Sequence, residues 1–108
     1  MEQRWARGRL EQPSRAPAEG ERVMELARFP SLTVEQILSG SLPEPVSFDQ
    51  DFDEWVLLLE GRARLLVDGT EVELEPGEWL LLPAGCPHTV LETQPGTSWL
   101  ALLVAGNG

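Results

Sequence analysis

Residues 77–88 read Gly-Glu-Trp-Leu-Leu-Leu-Pro-Ala-Gly-Cys-Pro-His, and the fold turns on this stretch. Pro76-Gly77 just before it suits a type II turn, in which proline fixes φ at the second position and glycine supplies the positive φ at the third. The apolar run Trp79–Leu82 is of strand length, Pro83 stops it, and Gly85 lets the chain reverse. His88 then stands at the head of the next run, His88–Glu92. The sequence thus predicts a strand, a stop, a reversal and a return strand whose first side chain is an imidazole.

Working outward, the same punctuation recurs. Short runs at Val46–Gln50, Glu54–Glu60, Ala63–Val67, Glu71–Leu74 and Ser98–Val104 are separated by Glu60-Gly61, Asp68-Gly69, Ala84-Gly85 and Pro95-Gly96. Asp68-Gly69 is the sharpest of these signals, because both residues tolerate positive φ and so suit the tight turn whose twist matches a two-stranded hairpin. Upstream, Ser39–Pro45 is a loop by its turn residues, and Leu32, Val34, Ile37 and Leu38 fit a further strand after the Pro30 break. Short strands with a turn at nearly every join, and no alternation with helical patterns, predict an all-β antiparallel sandwich or barrel.

A chain of 108 residues is enough for one domain and one core. Residues 1–22 hold five Arg and four Glu with Pro13 and Pro17 and little apolar periodicity, and read as a flexible tail. Residues 23–108 are assigned to the barrel domain. That body carries three Arg against fourteen acids, within a net charge of −10, which disfavours nucleic acid and anionic membrane surfaces as partners. No apolar stretch approaches the roughly 20 residues of a membrane span, and no h-region follows Arg4, Arg7 and Arg9. A cytoplasmic location is expected, and the single Cys86 excludes an internal disulfide.

The 77–88 stretch resembles the second conserved motif of the cupins: Gly, five residues, Pro, one residue, Gly, two residues, His. Gly77, Pro83, Gly85 and His88 occupy its four fixed positions. The second half of the first cupin motif is also present, as Glu54 and Gly61. Phe48-Asp49-Gln50 and Glu54-Trp55-Val56 resemble a small-cupin subgroup with those segments in place of His-x-His. The resemblance covers about Leu32 to Val104. It implies a single-domain jelly-roll barrel, and inside it a divalent metal held by two histidines, a glutamate and a third histidine.

Here only part of that set exists. Positions 48, 50 and 54 share parity, so an inward Glu54 implies inward Phe48 and Gln50 unless a bulge near Asp51 shifts the register. A metal would then rest on Gln50, Glu54 and His88, joined by Asp49 if the acidic loop curls in. Manganese, zinc, iron and nickel are the candidates, with oxygen-rich ligation favouring the harder ions. The other reading is a hydrogen-bonded interior pair with no metal, and both stay open at this point.

Two functions follow. One is small-molecule binding in the barrel, with or without a divalent metal, as a sensor or storage module. The alternative is an isomerase- or epimerase-like enzyme acting on a carbohydrate or small organic acid, with Glu54 and His88, the only histidine, as its catalytic groups. Cys86 reads as an inert small residue, and Trp55, Trp79 and Trp99 as core or sheet-interface residues. Leu57, Leu59, Leu80 and Leu82 are apolar on both faces of their strands, which predicts a homodimer through sheet packing.

Overall fold

The computed structural model describes residues 3–105; Met1, Glu2 and residues 106–108 lie outside the described part. Nine strands follow one another: β1 (Glu21–Phe29), β2 (Leu32–Ser39), β3 (Val46–Phe48), β4 (Asp53–Glu60), β5 (Ala63–Val67), β6 (Thr70–Leu74), β7 (Trp79–Leu82), β8 (His88–Thr93) and β9 (Thr97–Val104). They form a five-stranded sheet, in the order β1-β2-β9-β4-β7, facing a four-stranded sheet in the order β3-β8-β5-β6. Every ladder between these strands is antiparallel, as the turn chemistry predicts.

Local sequence explains the joins. Asp68 and Gly69 have φ of 46° and 85°, the two positive values of the tight hairpin turn, and Val67 pairs with Thr70 across it. Gly77 has φ of 91°, as a type II turn demands, and Pro83 to Cys86 is closed by a bond from the Cys86 N–H to the Pro83 carbonyl.

The core fills the space between the sheets. Val56 and Leu58 of β4, Ala63 and Leu65 of β5, Leu74 of β6, and Trp99 and Ala101 of β9 form one buried cluster. Strand alternation puts Leu80 and Leu82 on this inner side, with Leu82 buried and Leu80 packed against the cluster. Leu57 is on the other side, paired with Trp79. Of the tryptophans, Trp99 is core, whereas Trp79 is 57% exposed and stacks obliquely on Trp55 with ring centroids 6.0 Å apart.

The first twenty-two residues divide into parts. Residues 3–10 are exposed and without regular structure, but from Glu11 the chain is held against β2. Gln36 accepts from the Glu11 N–H at 2.8 Å and donates to the Glu11 carbonyl at 2.9 Å. Gly20 donates to the Ser41 carbonyl, and Gly40 and Ser41 donate to the carbonyls of Gly20 and Ala18. The sequence boundary at residue 22 also falls inside β1, because Arg22 and Val23 pair with Leu38 and Ile37. This matters for the site, since β1 and β2 supply one wall of the cavity.

Candidate functional site in the barrel cavity

His88 opens β8, where it is paired with Phe48 on one side and Val67 on the other. Its ring lies against Phe48, with centroids 5.4 Å apart and planes 18° from parallel. Nδ1 is 3.1 Å from the Cys86 carbonyl, an acceptor, so this nitrogen carries the proton and Nε2 faces the interior. The turn from Pro83 therefore does two things: it begins the strand at His88 and fixes the tautomer of the imidazole.

Glu54 enters from the opposite sheet, on β4, and is 9% exposed. Its Oε1 is 3.8 Å from His88 Nε2, an ion-pair distance too long for a hydrogen bond. The two side chains border a cavity of about 180 Å³ whose walls include Val23, Ile37, Phe48, Val56, Leu65, Leu82, Val90 and Trp99. Burial pushes the Glu54 carboxyl above its ordinary range, the facing His88 pulls it back, and the charges of Glu35 and Glu21 push it up again.

Those last two residues also line the cavity, and the sequence reading missed them. Glu21 lies on β1 opposite Ser39, whose hydroxyl donates to Glu21 Oε2 at 3.1 Å. Glu35 lies on β2, two positions from Ile37, and strand alternation turns both to the same side. Burial raises the carboxyl pKa of each; the Ser39 bond opposes this at Glu21, while at Glu35 the charge of Glu25 adds to it and Arg28 opposes it.

The expected metal set does not assemble. β3 ends at Phe48 rather than running on to Gln50, so the parity linking positions 48, 50 and 54 is broken by the intervening loop. The Gln50 carbonyl accepts from Gly85 N–H, Asp53 Oδ1 accepts from Ala84 N–H, and the loop is thereby tied to the 84–85 turn. Gln50 is not among the residues lining the cavity; Asp49 is exposed and borders a separate depression with Ser47, Asp68 and Thr89. Phe48 does reach the cavity, but as a ring stacked on His88. No group of three or more His, Cys, Asp or Glu among the described residues stands close enough to hold an ion. Glu54 and His88 remain as a pair, two donors where a firmly held first-row metal needs three or more protein ligands.

Larger is not more suitable here. A depression of about 550 Å³ lies between Ser41, Arg62, Arg64, Glu73 and Gln94, but its arginines are engaged, Arg62 with Glu75 at 3.1 Å and Arg64 with Glu71 at 3.0 Å. Its arginines are exposed and already paired, whereas the smaller cavity has the buried side chains of Glu54 and His88 at its wall.

The profile of the Cupin domain family matches residues 36–104. The chain belongs to the cupin family. A comparison with curated proteins gives no match. Among solved structures, this cupin is similar to a presumptive mannose-6-phosphate isomerase of Ralstonia eutropha JMP134, with 30% identity, 92% of this chain and 100% of that chain covered, and a TM-score of 0.76. It also resembles a cupin superfamily protein of Desulfitobacterium hafniense DCB-2, at 19% identity, 96% and 97% coverage and a TM-score of 0.73. KdgF of Halomonas sp. follows at 15% identity, 82% and 81% coverage and a TM-score of 0.69. The last two likenesses speak for the fold alone. Among the described residues, no helix is long and apolar enough to cross a membrane.

Proposed function

We propose that this cupin binds a small organic molecule in the barrel cavity, between Glu54 and His88, without a resident metal. The observation that carries the reading is a buried pair of polar side chains, 3.8 Å apart, at the edge of a cavity of about 180 Å³ with otherwise mainly apolar walls. Such a cavity is the usual form of a ligand site, in which apolar surface supplies affinity and a few placed polar groups supply orientation. The donor set argues against iron, nickel, zinc or manganese as a permanent occupant. The test is ligand-observed NMR with a panel of small neutral and charged molecules, on the wild type and on a Val90→Phe variant that fills the cavity. Binding lost in the variant supports the reading; a panel with no binder to the wild type refutes it.

A second reading has one specific observation in its favour. Burial raises the pKa of Glu54, the direction that makes a carboxylate a stronger general base, and Glu54 faces the cavity. Glu54 would take a proton from a carbon acid and His88, through Nε2, would face the same substrate. The name of the Ralstonia protein points the same way, though a sugar phosphate suits this cavity poorly: no Arg or Lys lines it. Deuterium wash-in from D2O into a neutral ketose, lost in Glu54→Gln, would support turnover, and no exchange above the uncatalysed rate would exclude it for that substrate.

The same cupin is proposed to pair with a second copy through the outer face of its five-stranded sheet. Trp79 and Leu81 of β7 are 57% and 59% exposed there, beside Trp55 and Leu57 of β4. These positions carry no charge, so on a chain of net charge −10 they form a face where two copies can meet without repulsion. Leu80 and Leu82, by contrast, are spent on the core.

A further inference from the structure

We infer that the barrel cavity selects a small organic cation, a primary ammonium on an apolar body, over neutral or anionic molecules of the same shape. This rests on the reading of the cavity as a small-molecule site and adds the chemical class of the occupant.

The inference begins with an inventory of what faces the space. Its polar lining consists of Glu21, Glu35, Glu54 and His88. The three carboxylates are acceptors when ionised. His88 directs Nδ1–H to the Cys86 carbonyl and turns Nε2 toward Glu54 Oε1, 3.8 Å away. Trp99 is the remaining wall residue with an N–H, and its Nε1 donates to Ser39 Oγ at 3.1 Å. The Ser39 hydroxyl in turn donates to Glu21. The Trp99 and Ser39 donors are therefore already engaged, and three carboxylates share the wall with a single imidazole.

Two of these acceptors lack any donor. No hydrogen bond reaches the carboxylate of Glu54 or of Glu35 among the described residues, although Glu54 is only 9% exposed. Both carboxylates therefore open onto the cavity without a hydrogen bond of their own, where a positive charge stabilises them. No Arg is among the residues lining the cavity. Arg28 is paired with Glu25 at 2.5 Å, and Arg62 and Arg64 with Glu75 and Glu71 on the far side. Against three carboxylates the cavity wall carries one basic group, the His88 imidazole, and no Arg or Lys.

Shape limits that donor. An apolar cavity of about 150 Å³ holds a benzene ring, so a space of about 180 Å³ admits one six-membered ring or a short alkyl chain. Ring faces from Phe48 and Trp99 and the aliphatic walls suit the body, with the ammonium directed to the carboxylates. A metal ion could match the charge but not the geometry, since the carboxylates and His88 do not converge in a group of three.

The experiment is calorimetric titration with cyclohexylamine, cyclohexanol and cyclohexanecarboxylate, three probes of one shape and three charges at neutral pH, together with MnCl2. The proposal expects the amine to bind at least tenfold tighter than the alcohol, and the carboxylate not to bind. Glu35→Gln should weaken the amine severalfold and leave the alcohol unchanged. Circular dichroism of the variant, and its unchanged alcohol affinity, separate lost charge from lost fold. Equal affinities for amine and alcohol, or preference for the carboxylate, overturn the charge inference while leaving the small-molecule site standing. Stoichiometric manganese with no amine binding overturns it in favour of a metal. If no probe binds, both readings fall together.

Discussion

Replacing Gly40 by alanine tests whether the segment before β1 is structural. Gly40 is buried at the end of β2, and a Cβ there would lie 2.6 Å from the Ala18 carbonyl oxygen and 2.7 Å from its carbon, with the Pro17 carbonyl oxygen nearer still. All three atoms are backbone, so no change of rotamer relieves the clash and residues 17–18 must move off. That movement breaks the bonds from Gly40 N–H to the Gly20 carbonyl (2.9 Å), from Ser41 N–H to the Ala18 carbonyl (3.0 Å), and from Gly20 N–H to the Ser41 carbonyl (2.9 Å). At about 0.5–1.5 kcal/mol net for each bond, the loss is about 1.5–4.5 kcal/mol. Alanine recovers about 0.4–1 kcal/mol by restricting the unfolded chain, which leaves a destabilisation of about 0.5–4 kcal/mol. Urea unfolding followed by tryptophan fluorescence measures this directly. Hydrogen exchange adds the location, because the amides of Gly20 and Ser41 should lose protection while those of β5 and β6 keep theirs. A variant within about 0.5 kcal/mol of wild type, with protection at Gly20 and Ser41 intact, would falsify the placement of residues 17–20 over Gly40.

Three further outcomes are expected. The folded-state pKa of Glu54 lies above the unfolded value, so this group's contribution to stability is fullest below about pH 4.5 and is lost as pH rises through the folded value; Glu54→Gln should therefore be more stable than wild type at pH 8 and lose that advantage in acid, and urea midpoints showing the reverse at pH 8 contradict the burial argument. Thr97 is fully buried, donating to the Gln94 carbonyl at 2.6 Å and accepting from the Arg62 N–H at 3.3 Å, so Thr97→Val should cost about 1–3 kcal/mol, and a thermal midpoint equal to wild type would count against these bonds. Leu81→Glu places a charge on the outer sheet face at a residue already 59% exposed; sedimentation should then give the single-chain mass of 12.0 kDa where wild type gives twice that, and a monomeric wild type removes the dimer proposal.

The strands were legible because their punctuation is chemical: Ala63–Val67 and Trp79–Leu82 fall where the sequence puts them, bounded by residues that only a turn accommodates. His88 and Glu54 were legible for a related reason, since each sits at a strand position whose facing side follows from a neighbouring stop or from alternation. Gln50 was not, because alternation propagates only while a strand lasts, and β3 lasts three residues. The bond from Gly85 N–H to the Gln50 carbonyl ends the register that the sequence reading extended.

Glu21 and Glu35 show a different limit. A glutamate on a strand reads as a solvated residue, and Glu21 stood next to an arginine in what looked like a tail. Its place at the cavity depends on β1 pairing with β2, with a shift in register between Glu25 and Ala27, and a register shift of this kind leaves no local signature in composition or period. Yet once β2 is known to be a strand with Ile37 inward, Glu35 must face inward too, since two residues along a strand is one full period. A carboxylate obliged by geometry to face an apolar cavity, with no basic residue on the same strand to meet it, is a signal that the sequence did contain. The departure of this barrel from the cupin metal motif lies as much in the acids contributed by β1 and β2 as in the ligands absent between Ser47 and Gln50.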